Sequence, residues 1–176
     1  MFEKMLNLIE EWAQIDEKTI LLDICCGTGI IGLSLSRKAN KVVGIEIIES
    51  AVEDARRNAA NNKIDNCEFV AARAEEAFSK IIADIGSDQR IVAIVDPPRG
   101  GLHRDVLKGI RTCKGLDRLV YVSCNAGSLV DNMSHLCYGA QKKRKGPPFR
   151  PVKCAGADLF PDCNHCECIM LFERFY

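Results

Sequence analysis

The chain has 176 residues with 24 basic and 24 acidic side chains, so its formal net charge is zero at neutral pH. This length fits one domain of ~100–200 residues, and the balanced charge does not by itself indicate a nucleic acid or a membrane as partner. No apolar run is long enough to cross a bilayer, and no secretory signal is recognisable. We therefore expect an intracellular protein, cytoplasmic or nuclear in preference to mitochondrial, whose ten cysteines are reduced.

Helix-like and strand-like segments alternate along the chain. Apolar runs rich in β-branched residues predict strands at 19–25, 41–47, 67–72, 90–96 and 118–123. Amphipathic or alanine-rich patterns predict helices at 2–14, from about Gly29, at 49–62, at 74–85 and after Gly101. This order of elements is typical of a mainly parallel sheet with helices on both faces.

Two further strand-like segments, 151–160 and 166–175, lie at the C-terminal end. The connection between them is too short for a crossover helix, so they are expected to pair in antiparallel fashion at one sheet edge. The sequence thus predicts a single α/β domain over residues 1–176, with a seven-stranded Rossmann-like sheet.

A basic segment precedes this last pair of strands. Residues 141–151 contain five basic side chains, no acid, and prolines with a glycine that disfavour regular structure. Such a loop could contact RNA phosphates, or its charge could serve solubility alone, and the sequence leaves both interpretations open.

A glycine-rich turn follows the first strand. Gly27, Gly29 and Gly32 form a G-x-G-x-x-G pattern between a strand and a helix, and Glu46 ends the second strand. Glycines allow a cofactor to approach the backbone, and an acid at the second strand tip can accept ribose hydroxyls. The pattern indicates a nucleotide-like cofactor, with NAD as one alternative.

Asp23 favours one cofactor over another. It lies four residues before Gly27, where a carboxylate would face a cationic ligand better than a pyrophosphate. S-adenosylmethionine carries an ammonium and a sulfonium, whereas NAD carries two phosphates. We therefore favour S-adenosylmethionine.

Two more strand ends carry reactive side chains. Asp96 ends the fourth predicted strand in "VDPPRGG", whose prolines would direct the carboxylate and Arg99 into the same crevice. Cys124 ends the fifth strand in "YVSCN", before a small polar stretch that is expected to be a loop. Ligands bind at this end of parallel strands, although a cysteine taken alone is as often an inert core thiol.

Five motifs occur together in order: "DICCGTG", "GIEIIESAVEDARRNA", "DPPRGG", "YVSCN" and "DLFPDCNHCE". The chain resembles the RNA 5-methyluridine methyltransferase family, in particular its animal tRNA branch, from about residue 12 to the end. The resemblance implies a catalytic domain without the family's upstream RNA-binding domains. It also implies tRNA as substrate, and we expect a monomer.

The resemblance assigns roles to individual residues. They are a nucleophile, Cys124; a general base, Glu167; cofactor-binding acids, Glu46 and Asp96; and a cofactor loop of Cys25, Gly27 and Gly29. Two positions depart from the family pattern: Ala126 replaces a proline, and Cys163 replaces a threonine. Neither departure removes a reacting group.

The expected chemistry needs these groups. Carbon 5 of uracil becomes nucleophilic after a thiolate, from Cys124, adds to carbon 6. After methyl transfer, a base removes the carbon-5 proton, a role for Glu167 with possible help from His165. The target uridine must leave its stack, and Asp96 and Arg99 could steer it.

Four other interpretations compete with this chemistry. A zinc site at Cys163, His165, Cys166 and Cys168 is disfavoured because no second compact ligand pair occurs, and we predict no metal. Methylation of an exocyclic amine would need no covalent cysteine. A non-catalytic RNA-binding or RNA-folding module would need neither Cys124 nor Glu167, and a dehydrogenase is the weakest alternative.

Overall fold

The computed structural model describes residues 1–86, 88–139, 145–159, 162 and 166–174. The strands in this part of the chain are β1 (Thr19–Ile24), β2 (Lys41–Glu46), β3 (Cys67–Ala71), β4 (Arg90–Val95), β5 (Leu116–Ser123), β6 (Phe149–Ala157) and β7 (Glu167–Arg174). The α-helices are α1 (Phe2–Ala13), α2 (Ile30–Leu35), α3 (Glu49–Asn61), α4 (Ala74–Ile85), α5 (Arg104–Thr112) and α6 (Ala126–Cys137). A short 3₁₀ turn, Ser36–Lys38, continues α2.

All seven strands form one sheet in the order β3-β2-β1-β4-β5-β7-β6. The first five strands are parallel, whereas β7 pairs antiparallel with both β5 and β6. The predicted Rossmann-like sheet with an antiparallel edge is therefore confirmed. The strand order reverses between β1 and β4, and in such sheets ligands bind beyond the carboxyl ends of the strands at this point.

Helices cover both faces of the sheet. Helices α1 and α2 pack on one face, and α4, α5 and α6 bury their apolar residues against the other. Helix α3 packs against Phe69 of β3 in a smaller cluster. Every residue of β1 is buried, as expected for a central strand that reads as a continuous apolar run.

Helix α1 is fixed to the sheet by two arginines. It ends at Ala13, and Gln14 after it adopts a left-handed conformation. The Arg90 guanidinium donates to the Gln14 carbonyl at 2.8 Å, and Arg118 donates to the Trp12 carbonyl at 2.7 Å. These bonds satisfy carbonyls that a helix leaves unpaired at its C-terminus.

Two boundaries differ from the sequence prediction. The segment after Cys124 is a helix, α6, from Ala126 onward, because Asn125 caps it by accepting a hydrogen bond from the Gly127 amide at 2.9 Å. The predicted loop 141–151 overlaps β6, which begins at Phe149. An edge strand tolerates Pro151, next to which its register shifts. Residues 141–144 lie outside the described residues.

None of the helices in the described part of the chain combines the length and the apolarity that crossing a bilayer requires.

Candidate active site

The glycine loop after β1 is held by backbone contacts with β2. The amides of Cys25 and Cys26 both donate to the Ile45 carbonyl, at 2.8 and 3.1 Å. The Gly27 amide donates to Glu46 Oε2 at 3.0 Å. Gly27 has a φ of +54°, and no described atom lies within 4 Å of where its side chain would begin. The loop therefore presents bare backbone to an open space, as a cofactor-binding turn requires.

Glu46 is held by three backbone amides. In addition to the Gly27 amide, those of Ile47 and Ile48 donate to its Oε1 at 2.8 and 3.0 Å. A carboxylate has about four lone-pair sites, so one of them is left for a ligand. The residue is 9% exposed and lines a cavity. Its carboxylate is thus rigidly placed at the tip of β2, where the sequence predicted an acid.

Asp23 lies behind the glycine loop and not among the residues that line this cavity. It is fully buried, and its Oδ2 accepts a hydrogen bond from the Gly32 amide at 2.8 Å. Its Oδ1 has no hydrogen-bond partner among the described residues. Burial raises the pKa of Asp23 to about 7, although the Gly32 amide opposes this shift. This position differs from the ligand-facing one that the sequence argument assumed.

The cavity has a volume of about 510 Å³, within the range of small-molecule sites. It opens at the carboxyl ends of β1, β2 and β4, and Ile47 and Ile48 expose apolar side chains at its rim. Its wall carries more acidic than basic side chains. The polar and charged members of the wall are Cys25, Glu46, Arg73, Glu75, Asp96 and His103.

The surroundings of Cys25 show that the cavity disfavours negative charge. Its φ of +63° is unusual for a residue with a side chain, and it directs the chain into the glycine loop. Burial, followed by the charges of Glu46 and Asp96, raises the pKa of the Cys25 thiol to about 12. The thiol is therefore neutral near pH 7, and a cationic ligand is favoured in this surrounding.

Asp96 lies at the tip of β4, and its amide donates to the Ile24 carbonyl at 3.2 Å. Its side chain is accessible to solvent, but it lies inside the concave cavity wall, where protein replaces part of its hydration. This desolvation, followed by repulsion from Glu167, raises the pKa of the Asp96 carboxyl to about 6. The charge of Glu167 thus acts on Asp96, although the two acids are 71 positions apart in the chain.

The turn that carries Cys124 is fixed on both sides. Ser123 Oγ donates to the Asn125 carbonyl at 2.9 Å, and the Asn125 amide lies 3.2 Å from the same Oγ. Asn125 Nδ2 donates to the Arg99 carbonyl at 3.0 Å, which ties this turn to the one after Asp96. Cys124 is partly exposed between these anchors, so its thiol is accessible on a rigid turn.

Strand register brings Glu167 next to Cys124. The last pair between β5 and β7 is Ser123 opposite Cys168. Cys124 comes one residue after this pair on one chain segment, and Glu167 one residue before it on the other. The register therefore brings the predicted nucleophile and the predicted base to the same end of this strand pair, each one residue beyond its last pair.

A buried polar group that sequence reasoning missed supports this arrangement. Asn132 of α6 accepts two hydrogen bonds at its Oδ1, from the Tyr121 hydroxyl at 2.7 Å and from the Leu102 amide at 2.8 Å. Gly101 has a φ of +76°, and a side chain there would meet Asn132 at 2.9 Å. The network joins β5, α6 and the loop after Asp96. In the sequence, the one sign of this network is an asparagine at a position where a helix would face the core.

The remaining predicted residues are less closely tied to the cavity. The Arg99 side chain is exposed on the turn after Asp96 and is not among the residues that line the cavity. His165 lies outside the described residues. Within the described ranges, no three histidine, cysteine or acidic side chains gather in a way that could hold a metal ion.

Solved structures identify the class of fold. An rRNA methylase from Streptococcus thermophilus shares it with a TM-score of 0.70 at 14% identity, over 99% of this chain and 96% of that one. A tRNA (uracil-54, C5)-methyltransferase from Pyrococcus abyssi, solved with S-adenosyl-L-homocysteine, gives a TM-score of 0.72 at 29% identity. That match covers 96% of this chain and 38% of the other. The architecture is that of Rossmann-like methyltransferases.

Sequence comparison identifies the family. The sequence model of the tRNA (uracil-5-)-methyltransferase family matches residues 1–175, and the chain belongs to this family. It is 48% identical over 172 residues to the human tRNA (uracil-5-)-methyltransferase homolog A, covering 98% of this chain and 27% of that protein. It is 42% identical to the zebrafish homolog B, covering 98% of this chain and 36% of that one. The chain thus spans about a third of the length of these relatives.

Proposed function

We propose that this domain transfers a methyl group from S-adenosylmethionine to carbon 5 of a uridine in tRNA, in the T-loop, by way of a covalent adduct with Cys124. The observation that supports this proposal is the Ser123–Cys168 pair, which brings Cys124 and Glu167 to the same end of β5 and β7, together with Asp96 in the cavity wall at the tip of the neighbouring strand β4. A thiol and two acids at one edge provide the nucleophile and base that methylation of carbon 5 needs.

The cavity residues fit S-adenosylmethionine. The remaining lone pair of Glu46 and the apolar rim of Ile47 and Ile48 suit a nucleoside. Gly27 does not line the cavity, but it is bonded to Glu46 and adds bare backbone beside it. The acidic wall suits a cation. When bound, the cofactor supplies an electrophilic methyl group. The chain's own residues activate the acceptor.

Cys124 acts first in this proposal. Its thiolate attacks carbon 6 of the uracil ring, the carbon 5–carbon 6 double bond becomes an enolate, and carbon 5 gains the electron density to accept a methyl group. The anchors at Ser123, Asn125 and Arg99 hold the sulfur in place, which limits the freedom lost on reaching the attacking geometry.

Glu167 acts second. It accepts the proton from carbon 5 of the methylated adduct, the double bond reforms, and the Cys124 sulfur leaves as a thiolate. Its position across the strand pair from Cys124 suits this step because the proton lies on the carbon next to the one that holds the sulfur. Asp96, close to Glu167, is available to both the cofactor and the base.

The test uses tRNA transcribed with 5-fluorouridine, incubated with S-adenosylmethionine and either the wild-type chain or Cys124→Ser. Fluorine cannot leave carbon 5 as a proton, so the reaction stops after methyl transfer with protein joined to RNA. We expect a shifted band on a denaturing gel for the wild type only, and only when S-adenosylmethionine is present.

Cys113→Ser is the matched control because Cys113 is a buried thiol remote from the site. It should form the band as the wild type does. Methyl transfer to tRNA that persists in Cys124→Ala would instead favour methylation of an exocyclic amine. Binding of tRNA without any methyl transfer by a folded, cofactor-binding chain would favour the non-catalytic module.

A further inference from the structure

Three thiols lie close together on the edge pair of strands, outside the cavity. They belong to Cys154 on β6, Cys168 on β7 and Cys166 just before β7. The Sγ atoms of Cys154 and Cys168 are 3.6 Å apart. The proposed reaction uses none of these thiols.

Strand register explains why the two sulfurs meet. Cys168 lies opposite Gly156, and Cys154 lies two residues from Gly156 on the same face, so the two cysteines are diagonal neighbours. Gly156 has no side chain, and one placed there would meet Cys166 Sγ at 3.1 Å. The glycine thus leaves open the face on which the thiols gather.

We propose that Cys154 and Cys168 form a modification site, a dithiol that hydroperoxides convert reversibly into a disulfide across β6 and β7. A disulfide has an S–S length of about 2.05 Å, so the sulfurs must approach by about 1.5 Å. Diagonal neighbours have Cα atoms about 7–8 Å apart, just beyond the usual disulfide span, so a small shift of the edge strand β6 must accompany side-chain rotation. Cys154 is the exposed partner and Cys168 the more buried one.

The steps balance with a hydroperoxide as oxidant. The Cys154 thiolate attacks one peroxide oxygen, the O–O bond breaks, and the sulfur becomes a sulfenic acid. The other oxygen takes up the proton that the thiol had lost and leaves as water or an alcohol. The Cys168 sulfur then attacks the sulfenic sulfur, the S–S bond forms, and the hydroxyl leaves as water. Burial, followed by the Cys154 thiol, raises the pKa of Cys168 to about 11. The exposed Cys154 therefore meets the oxidant first, and Cys168 reacts with the sulfenic acid formed beside it.

The site lies beside the proposed reacting groups. Cys168 follows Glu167 in the chain and faces Ser123, which precedes Cys124. A bond that draws Cys168 toward β6 would therefore disturb the place where the base and the nucleophile meet. This consequence for turnover depends on the proposed function, whereas formation of the disulfide does not.

The first experiment maps the bond. The reduced chain is treated with hydrogen peroxide, free thiols are blocked, and the protein is digested with trypsin, Asp-N and Glu-C without reductant. We expect residues 154–157 joined to residues 168–173, two hydrogen atoms lighter than the separate peptides, and released by dithiothreitol. Cys154→Ser and Cys168→Ser should lose this product, and Cys166→Ser should keep it.

Two results would overturn the site. One is a product that depends on Cys166, or that joins Cys154 to a different cysteine. The other is oxidation of Cys154 to a sulfinic acid while Cys168 is recovered as a free, blocked thiol. Because Cys154 is exposed, its serine variant is expected to fold.

The second experiment measures adduct formation with 5-fluorouridine tRNA before and after oxidation. The wild type should slow severalfold and recover with dithiothreitol, whereas Cys154→Ser should keep its rate. An equal loss in Cys154→Ser would trace the effect to another thiol and refute the coupling. A reduced wild type that forms no adduct at all would refute the proposed function, while the peptide map would still decide the disulfide.

Discussion

Two carboxylates near the ends of neighbouring strands, Glu46 and Asp23, differ in burial and hydrogen bonding although their chemistry is similar. Glu46 accepts three backbone N–H bonds and lines the cavity. Asp23 accepts one such bond from Gly32 and is sealed behind the loop, where burial raises the pKa of its carboxyl. We therefore propose that Glu46, and not Asp23, contacts the cofactor directly.

Glu46→Gln tests the first assignment. The amide cannot accept from all three N–H groups or carry charge, so we expect S-adenosylhomocysteine to bind about 10–100-fold more weakly by titration calorimetry. Glu75→Gln is the control because Glu75 lines the same cavity without holding the glycine loop, and its effect should stay within about threefold. Equal losses in the two variants would contradict the assignment.

Glu167→Gln tests the division of roles between base and nucleophile. With ordinary tRNA, this variant should methylate once and then accumulate the protein–RNA adduct, with turnover about 10²–10⁴-fold lower than the wild type. Cys124→Ser should form no adduct. The check is a denaturing gel with radiolabelled methyl groups. With 5-fluorouridine tRNA, Glu167→Gln and the wild type should give similar bands, and failure there would mean that Glu167 is needed before proton removal.

At the scale of secondary-structure elements, two arginines hold the end of the sheet remote from the cavity. Arg174 of β7 donates to five carbonyls and stacks on the Phe149 ring at 4.2 Å. Arg111 of α5 donates to carbonyls at the end of α6 and in the segment before β6. Together they fix the ends of α5 and α6 against the antiparallel edge.

Arg174→Met should therefore lower the free energy of unfolding by about 2–4 kcal/mol, because several buried carbonyls lose their donor. Arg150→Met is the control, because Arg150 is exposed on the adjacent strand and forms an ion pair with Glu173, at 3.7 Å. Its loss should change the free energy of unfolding by no more than about 0.5 kcal/mol. Urea unfolding of both variants is the measurement. A loss for Arg174→Met as small as that for Arg150→Met would contradict this role.

The strands and helices differ in how clearly the sequence predicts them. The strands of the parallel part are apolar enough to be recognised, and α3 and α4 have clear helical patterns. The sequence predicts a loop at the start of helix α6, because several of its first residues, among them Asn, Gly and Ser, are typical of turns. Its cap at Asn125 and its buried Leu129, Asn132 and Leu136 become evident once the sheet provides a surface to pack against.

For the whole molecule, Asp23 and Asp96, near the carboxyl ends of two parallel strands, make the free energy of unfolding depend on pH. Burial raises the pKa of Asp23 from 3.8 to about 7 and that of Asp96 to about 6. The folded state therefore binds protons more tightly than the unfolded state. The stability that these protons contribute is fully present below about pH 4 and is lost as the pH rises through 6 and 7.

Asp23→Asn should reduce this dependence. The free energy of unfolding of the wild type should fall between pH 5 and pH 7.5, and the fall should be smaller in the variant, because the amide does not titrate. Urea unfolding at the two pH values checks it. Asp65→Asn provides a surface comparison and should show the wild-type slope. Equal slopes for Asp23→Asn and the wild type would mean that Asp23 is ionised in the folded protein across this range.

The α/β class, the seven strands, the glycine turn and the family motifs can all be recognised from the amino-acid sequence alone. These are local signals: the period of apolar residues, the turn residues, and the spacing of short motifs.

Contacts that depend on register and burial become visible in the folded structure. The fold brings Glu167 and Cys124 to the same end of β5 and β7, encloses Asp23, joins Asn125 to Arg99, and sets Cys154 next to Cys168. These contacts join segments distant in sequence or on different strands. A shift of one residue in strand pairing would turn the same side chains to the opposite face of the sheet.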